Sequence, residues 1–330
     1  METSPKAIGP GSTSAPNARP MIVIAGPTAS GKSALALQVA TRFGGTIINA
    51  DAMQCYADWR IITARPSAAD EAAAPHALYG VRALDQPVDA AWWRAAALRV
   101  LETVSLPILC GGTGMYLSAL INGISAIPDP RSAARAEARA LLDRHGPAWL
   151  HDWLTARDPA TASRLRPSDP QRLTRAAEVW LGTGHGLAHW HALPRARLIG
   201  YRLGVVLLDP PRDELRGAIT ARFAAMLDAG ALDEVQRVHA RNPDPALPGL
   251  RAHGVPELRA HLAGEITLAA AADRAIAATL AYTKRQGTWF RHQRLADADA
   301  TQMIHARFSH ATQYSESLDC YFISFINDNG

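Results

Sequence analysis

The sequence predicts an α/β fold, a parallel β-sheet flanked by helices with an all-helical insertion. Three observations lead there. A glycine-rich loop of phosphate-binding pattern stands between a short apolar run and a helical stretch near the N-terminus. Further apolar runs then alternate with helical stretches, the rhythm of parallel β–α–β units whose site lies at the strand C-termini. Between residues 129 and 190 that rhythm stops, and helical stretches follow one another with no strand between them.

Residues 1–20 are rich in Pro, Ser, Gly and Ala and read as a disordered tail. Met21–Ala25 is an apolar run suited to a buried parallel strand. Residues 26–33, Gly-Pro-Thr-Ala-Ser-Gly-Lys-Ser, fill every fixed position of a P-loop: Gly26, Gly31, Lys32 and Ser33. Thr28, Ala29 and Ser30 complete the loop, and Ser33 to Ala40 continues as a helix. Such a loop turns backbone N–H groups toward a phosphate, Lys32 adds a point charge, and the Ser33 hydroxyl can hold Mg²⁺. The chain has 34 Lys+Arg, yet lysine stands only at 6, 32 and 284. A chain that otherwise uses arginine keeps a compact ammonium where a phosphate cradle suits one. The fold expected is therefore a P-loop NTPase-like core.

A second strand, Thr46 to Ala50, ends at Asp51. Trp92 to Val104 reads as a helix, and Leu106 to Cys110 as a third strand running into Gly111-Gly112-Thr113-Gly114. A fourth, Leu203 to Leu208, ends at Asp209. Within the insertion, 132–144, 149–157 and 171–181 read as helices separated by prolines. Residues 212–294 are again mostly helical. The core is thus expected over 21–128 and 191–294, the helical insertion over 129–190, and a peripheral or disordered tail over 295–330. The apolar patch 320–326 in that tail shows no function and reads as poorly ordered or a peripheral strand.

Composition narrows the classes. The net charge is +4 and the pI about 9.1, mildly basic and compatible with nucleic acid. Cys55, Cys110 and Cys320 are far apart and odd in number, with neither disulfide nor metal spacing. No apolar run approaches a membrane span and the N-terminus shows no signal-peptide pattern, so a cytoplasmic protein without a membrane partner is expected, acting as a monomer.

Several residues bear on chemistry. Asp51, at a strand end facing the phosphate crevice, can accept a proton or help hold Mg²⁺, or simply cap the helix that Ala52, Met53 and Gln54 begin. The 111–114 glycines allow close approach of a ligand, with the Thr113 hydroxyl among them, or make an ordinary strand-to-helix turn. That strand ends in Cys110-Gly111 rather than Asp, so an ordinary Walker-B carboxylate is missing. Arg222 lies in an amphipathic stretch, as a site cation or a solvated charge. Lys284, Arg285, Trp289, Phe290 and Arg291 interleave basic and aromatic side chains, either for stacking bases and meeting phosphates or as a helix end with core aromatics and a basic exterior.

Taken together these residues resemble the tRNA dimethylallyltransferases, also called tRNA isopentenyltransferases, over roughly 21–294. Residues 26–33 resemble the family's GPTASGKS/T, 49–56 its SADSxQVY, 63–66 its TAKP, 74–76 its APH turn, 111–116 its GGTGLY, 169–176 its DPQRxxRA and 284–291 its KRQxTWFR. The resemblance implies transfer of a dimethylallyl group from dimethylallyl diphosphate to N6 of the adenosine just 3′ of the anticodon, in tRNAs reading codons that begin with U. The P-loop then holds a leaving diphosphate rather than ATP, which accounts for the missing Walker-B acid. The resemblance further implies Asp51 as general base, Thr113 and Arg222 as catalytic partners, and Mg²⁺ on Ser33. Residues 26 and 28–33 would bind the diphosphate. Residues 51–54, with Gln54 reading the flipped base, would meet the tRNA. Gln171, Arg172, Leu173, Thr174 and Arg175 of the insertion would clasp its anticodon stem-loop, joined by Lys284, Arg285 and Arg291. Ala52 stands where the family usually has Ser, Arg60-Ile61-Ile62 where it has Asp-Ile-Gly, and Val255-Pro256 supply fewer donors than the family's usual pair. A small-molecule P-loop kinase, a prenyltransferase acting on free adenylate, and a non-catalytic RNA-binding protein are the competing readings. The kinase leaves Gln171-Arg172 and the 284–292 run without a purpose.

Overall fold

Two stretches of chain in a computed structural model, residues 18–308 and 316–327, describe the protein. Six parallel strands form one sheet in the order β3-β2-β4-β1-β5-β6: β1 (Arg19–Ala25), β2 (Thr46–Asn49), β3 (His76–Ala77), β4 (Pro107–Gly111), β5 (Tyr201–Leu208) and β6 (Thr301–Ile304). The crossover from β1 to β2 runs through α1 (Lys32–Phe43) and skips the place later taken by β4. The loops after β1 and β4 therefore sit side by side at the carboxyl edge, where open α/β sheets hold ligands.

Both faces of the sheet are covered, which is why its strands read as continuous apolar runs. Val23, Ile48, Leu109 and Val205 pack on one face with Trp93 of α3 (Ala90–Leu101) and with Leu117 and Leu120 of α4 (Gly114–Asn122). Ile22, Ile24, Ile47, Ile108, Val206 and Leu208 pack on the other with Leu35 and Val39 of α1. Ser67 caps the short α2 (Ala68–Ala73).

The chain divides into two compact units, one of residues 1–121 and 198–330 and the other Asn122–Arg197. The second is wider at both ends than the stretch the prolines mark. Its elements are α5 (Ser132–Thr155), α6 (Pro159–Ala162), α7 (Pro170–Thr183) and α8 (Leu187–Ala192). Gly146, at φ 80°, breaks α5 just before Pro147, and Asp158 and Asp169 cap α6 and α7. Leu150, Leu154, Leu173 and Ala177 form this unit's own core.

In the first unit, α9 (Arg212–Asp228), α10 (Ala231–His239), α11 (Val255–Leu262) and α12 (Leu268–His292) follow β5. They close a third apolar cluster around Tyr56, Trp59 and Ile62.

Two expectations about the termini are corrected. The N-terminal tail does not reach residue 20. Arg19 and Pro20 already belong to β1, because β5 extends far enough to pair with them at Tyr201 and Arg202. Proline is tolerated there because the β4 pairing starts only at Ile22. The rest of that tail lies outside the described residues. The C-terminal stretch is not merely peripheral either. β6 completes the sheet edge beside β5, and 320–326 lies not in a strand but in α13 (Glu316–Asn327). Leu318, Phe322, Phe325 and Ile326 recur at helical spacing, and their stripe joins the α1 face of the sheet, with Phe322 fully buried.

Candidate active site

At the carboxyl edge of β1, β2 and β4 lies a cavity of about 720 Å³, lined by residues of the first unit. Its lining carries three cations, Lys32 of the P-loop with Arg222 and Arg307, and the apolar side chains of Ile61, Ile62, Ile219, Phe223 and Met226. Asp51 and Ala52, just after β2, line it as well.

The P-loop follows β1. Gly31 sits at φ 94° and a Cβ there would run into the Phe308 carbonyl, so a glycine is required on both counts. No side chain caps α1, leaving its first-turn amides, which no helix carbonyl can receive, directed at a ligand. Not every amide of the loop serves that end. The Thr28 N–H donates to Gln286 Oε1 (2.9 Å) and the Ser30 N–H to the Pro27 carbonyl (3.3 Å). The expectation that all the amides of 28–33 face the diphosphate is corrected accordingly, because turn closure and α12 take two of them. Gly26 and Ser30 do not line the cavity, and Ser30 is fully buried. Lys32 Nζ donates to the Pro27 carbonyl (2.6 Å). Burial pushes its pKa from 10.5 down to about 8, against the opposing pull of Cys110 and Asp51. Ser33 hydrogen-bonds the Cys110 thiol, which burial pushes up to about 11.

Asp51 is held by its neighbours. Buried Asn49 accepts from the Asp51 N–H (2.8 Å) and donates to the carbonyls of Asp51 (2.9 Å) and Leu78 (3.0 Å). Asp51 Oδ1 accepts from the Met53 N–H (3.0 Å). The capping and site readings of this carboxylate therefore coexist, with Oδ1 engaged by the turn while the side chain lines the cavity. Its charge acts on Lys32, Arg222, His253 and Tyr282.

Thr113 stands one layer back. Its hydroxyl accepts from the Ala52 N–H (3.3 Å) and hydrogen-bonds Tyr282, and it is absent from the cavity lining. Gln54 lines the cavity, but both N–H groups of its amide are spent on the carbonyls of Thr63 and Ala64 (2.9 Å each). Only its carbonyl oxygen is left for a base edge. Arg222 is desolvated, which lowers its pKa, and donates to the Thr63 carbonyl at 3.5 Å.

The remaining expected contacts divide by exposure. On α7, Gln171, Arg172 and Arg175 are exposed, with Arg172 near Asp169 (3.6 Å) and Arg175 on Glu178 (3.1 Å). Leu173 and Thr174 turn into the core of that unit, so their proposed RNA contact is corrected: the helical period that exposes 171, 172 and 175 buries 173 and 174. On α12, Lys284, Arg285 and Arg291 are exposed, and Arg285 lines the cavity over the Tyr282 ring. Trp289 and Phe290 pack in the core, so the helix-end reading of the basic-aromatic run prevails over base stacking.

Four residues escaped the sequence reading. Buried Gln286 joins two loops, accepting from Thr28 N–H and donating to the Gly112 carbonyl (3.0 Å). Tyr282, one turn earlier, holds Thr113, and burial raises its pKa to about 12. Glu234 is 4% exposed and accepts from the N–H groups of Arg60 (2.7 Å), Ile61 (3.0 Å) and Ile62 (2.9 Å). It thereby fixes the cavity wall at 61–62. Arg307 comes from the segment after β6. A signal for three of them was present. Tyr282, Gln286 and Phe290 are four apart on one stripe, and Glu234 shares a stripe with Ala231, Val235 and Val238. A polar residue inside an apolar stripe marks a buried group needing partners.

The model of the IPP transferase family matches residues 54–293, and that of the isopentenyl transferases residues 20–82. This chain belongs to the IPP transferase family. A tRNA dimethylallyltransferase of Acidiphilium cryptum is 71% identical over 318 residues, covering 96% of this chain and 98% of that protein. One from Gluconobacter oxydans is 54% identical over 300 residues, 90% of each. The fold is that of a tRNA isopentenylpyrophosphate transferase from Bacillus halodurans, at 26% identity and a TM-score of 0.67 over 94% of this chain and 98% of that one. Members of the IPP transferase family are thus similar to this chain over the P-loop, the helical unit and α12 alike.

Proposed function

We propose that the chain transfers a dimethylallyl group from dimethylallyl diphosphate to N6 of the adenosine 3′ of the anticodon, in tRNAs reading codons that begin with U. The observation that carries this reading is one cavity whose lining joins P-loop residues, the apolar side chains of Ile61, Ile62, Ile219, Phe223 and Met226, and Asp51. Phosphate donors and apolar side chains on one lining suit a short hydrocarbon diphosphate.

The chemistry is a displacement at the allylic C1 carbon. The bond from C1 to the diphosphate oxygen breaks, the bond from N6 to C1 forms, and the N6 proton passes to Asp51. Lys32, Arg222 and the α1 amides stabilise the charge that develops on the leaving diphosphate. The adenine amine is a weak nucleophile, and Asp51 raises its reactivity by accepting its hydrogen bond before the proton moves. Thr113 acts through Ala52 and Tyr282, keeping the Asp51 turn and α12 in register. The acceptor base must leave its stack to reach the carboxylate. The exposed Gln171, Arg172 and Arg175, with Lys284, Arg285 and Arg291, supply donors and positive charge for the anticodon loop.

The donor set suits Mg²⁺ held largely by substrate. Ser33 offers a hydroxyl, and the described residues contain no cluster of three His, Cys, Asp or Glu that would make a protein-only site. Ser33 and the donor's phosphate oxygens would hold the ion, which when bound neutralises charge on the leaving group. No helix among the described residues is long and apolar enough to cross a membrane.

The test is to incubate the protein with Mg²⁺, dimethylallyl diphosphate and unmodified tRNA, then digest the tRNA and look for N6-prenyladenosine. Absence of the product, or equal prenylation of free adenylate, overturns the reading. Transfer of a labelled γ-phosphate to a metabolite would favour the kinase.

A further inference from the structure

Arg307 lies three residues after β6, in a stretch whose sequence shows no motif for phosphate binding. Its surroundings are specific. Its Nε donates to the Ala29 carbonyl of the P-loop (3.0 Å), and its backbone N–H donates to Glu214 Oε2 on α9 (3.2 Å). The next residue, Phe308, donates its N–H to the Ser30 carbonyl (3.0 Å) and buries its ring beneath α1. Two consecutive residues therefore grip two consecutive P-loop carbonyls.

We propose that Arg307 is a diphosphate-binding residue, the third cation of a cradle it forms with Lys32 and Arg222. Its guanidinium reaches the cavity with half-buried character, and no carboxylate among the described residues forms an ion pair with it. The Nε bond to Ala29 orients the guanidinium plane while leaving its two terminal nitrogens as donors. Arg307 is close enough to Arg222 for its charge to oppose that guanidinium's, and Lys32 is likewise opposed by Arg222. Three cations on one lining, two of them repelled by Arg222 and with Asp51 the carboxylate on the same lining, form a site built for a polyanion. A merely structural tie to Ala29 would need neither the charge nor the exposure to the cavity. Through Arg307 the stretch after β6 delivers a charge to the cradle.

This rests on the reading of the P-loop as the diphosphate site, so the experiment separates the two. Inorganic pyrophosphate is used as the probe, as an inhibitor of the full-length enzyme, against wild type, Lys32→Ala, Arg307→Gln and Arg307→Lys. Arg307→Gln is expected to raise both the pyrophosphate inhibition constant and the KM for dimethylallyl diphosphate about tenfold, the loss of one charge-assisted contact. The KM for tRNA and the Tm should stay unchanged, and Arg307→Lys should restore most of the loss. An unchanged inhibition constant in Arg307→Gln overturns the proposal, and so does equal impairment of the Gln and Lys variants, which would make Arg307 a tie to Ala29 alone. If wild type is not inhibited by pyrophosphate, or Lys32→Ala makes no difference to it, the diphosphate reading itself fails and Arg307 falls with it.

Discussion

At the residue scale the site depends on two groups of opposite sign whose partners define what can be tested. Asp51 carries the proposed proton transfer while its Oδ1 closes a turn on Met53. Asparagine keeps an oxygen for that turn and loses the basicity. Asp51→Asn should therefore lower kcat about 10²- to 10⁴-fold, the usual worth of a positioned base. Gel-shift affinity for tRNA should change by less than about threefold. A parallel loss of affinity would make Asp51 a structural residue. Lys32 sets the pH dependence. In the free protein its ammonium titrates near pH 8, because burial disfavours the charge. A bound diphosphate favours the charge and raises that pKa. Binding therefore takes up a proton at Lys32 above pH 8, and the difference in pyrophosphate affinity between wild type and Lys32→Ala should shrink by up to about tenfold per pH unit there, the ligand's own ionisation being common to both. The same shift has the opposite sign for the unliganded fold. Between about 8 and 10.5 the unfolded chain holds more protons, so this group makes the free protein more stable as pH rises. Titration calorimetry across that range reads the first effect, and a flat profile in it would contradict the Lys32 assignment. Both residues were legible in the sequence because each stands at a strand end or loop of fixed pattern. Arg307 was not, because its meaning depends on a β-strand pairing that brings the far end of the chain to residues 29 and 30.

Elements enter where one side chain holds two loops together. α12 does this through Gln286, which joins the P-loop at Thr28 to the turn after β4 at Gly112. Leucine fills similar space and leaves the buried Gly112 carbonyl without its partner, at a cost of roughly 1–3 kcal/mol, while the part-buried Thr28 N–H can turn to solvent. Gln286→Leu should thus lower the unfolding free energy by about 1–3 kcal/mol. It should also raise the donor KM while sparing the tRNA KM, since α12's exposed arginines are untouched. Urea denaturation and steady-state kinetics check the pair, and a change in tRNA KM alone would detach Gln286 from the P-loop. The basic and aromatic residues of 284–292 drew attention as a recognition surface, yet the functional group of the run is the buried amide between them, and Trp289 and Phe290 are core. Composition points outward from a helix, and only the stripe spacing from Tyr282 through Phe290 says which side faces in. The same logic applies to Glu234, a carboxylate on the buried stripe of α10 whose three backbone partners lie more than 170 positions away in sequence. For α13 the reading failed for a different reason. Its apolar residues fit both a strand run and a helical stripe, and the sheet face that selects the helix is assembled from β1, β4 and β5.

On the scale of the whole molecule the chain builds separate cores for separate tasks. The α/β unit carries the P-loop, Asp51 and the cavity, and its sheet face is finished by Phe322 from the C-terminal helix. The helical unit carries Gln171, Arg172 and Arg175 on a core drawn from its own residues, Leu150, Leu154, Leu173 and Ala177 among them. The proposed chemistry and the proposed anticodon contacts thus fall to bodies with separate cores, and a substitution in one core should leave the other intact. Phe322 is the residue on which this can be tried. It is fully buried against Phe43 of α1, at a ring separation of 6.3 Å, and far in sequence from the helical unit. Phe322→Ala removes a whole ring from a closed face, a change that costs about 3–5 kcal/mol. Amide hydrogen exchange is expected to accelerate throughout α1, β1 and β5 by the factor that this free energy implies. The amides of α5 and α7 should keep their wild-type protection, because their opening does not expose the Phe322 seat. Donor KM should rise as the P-loop loses the helix that backs it, while tRNA affinity holds. Uniform acceleration across both units would mean that they unfold as one cooperative body, and the division of labour between the two cores would have to be abandoned.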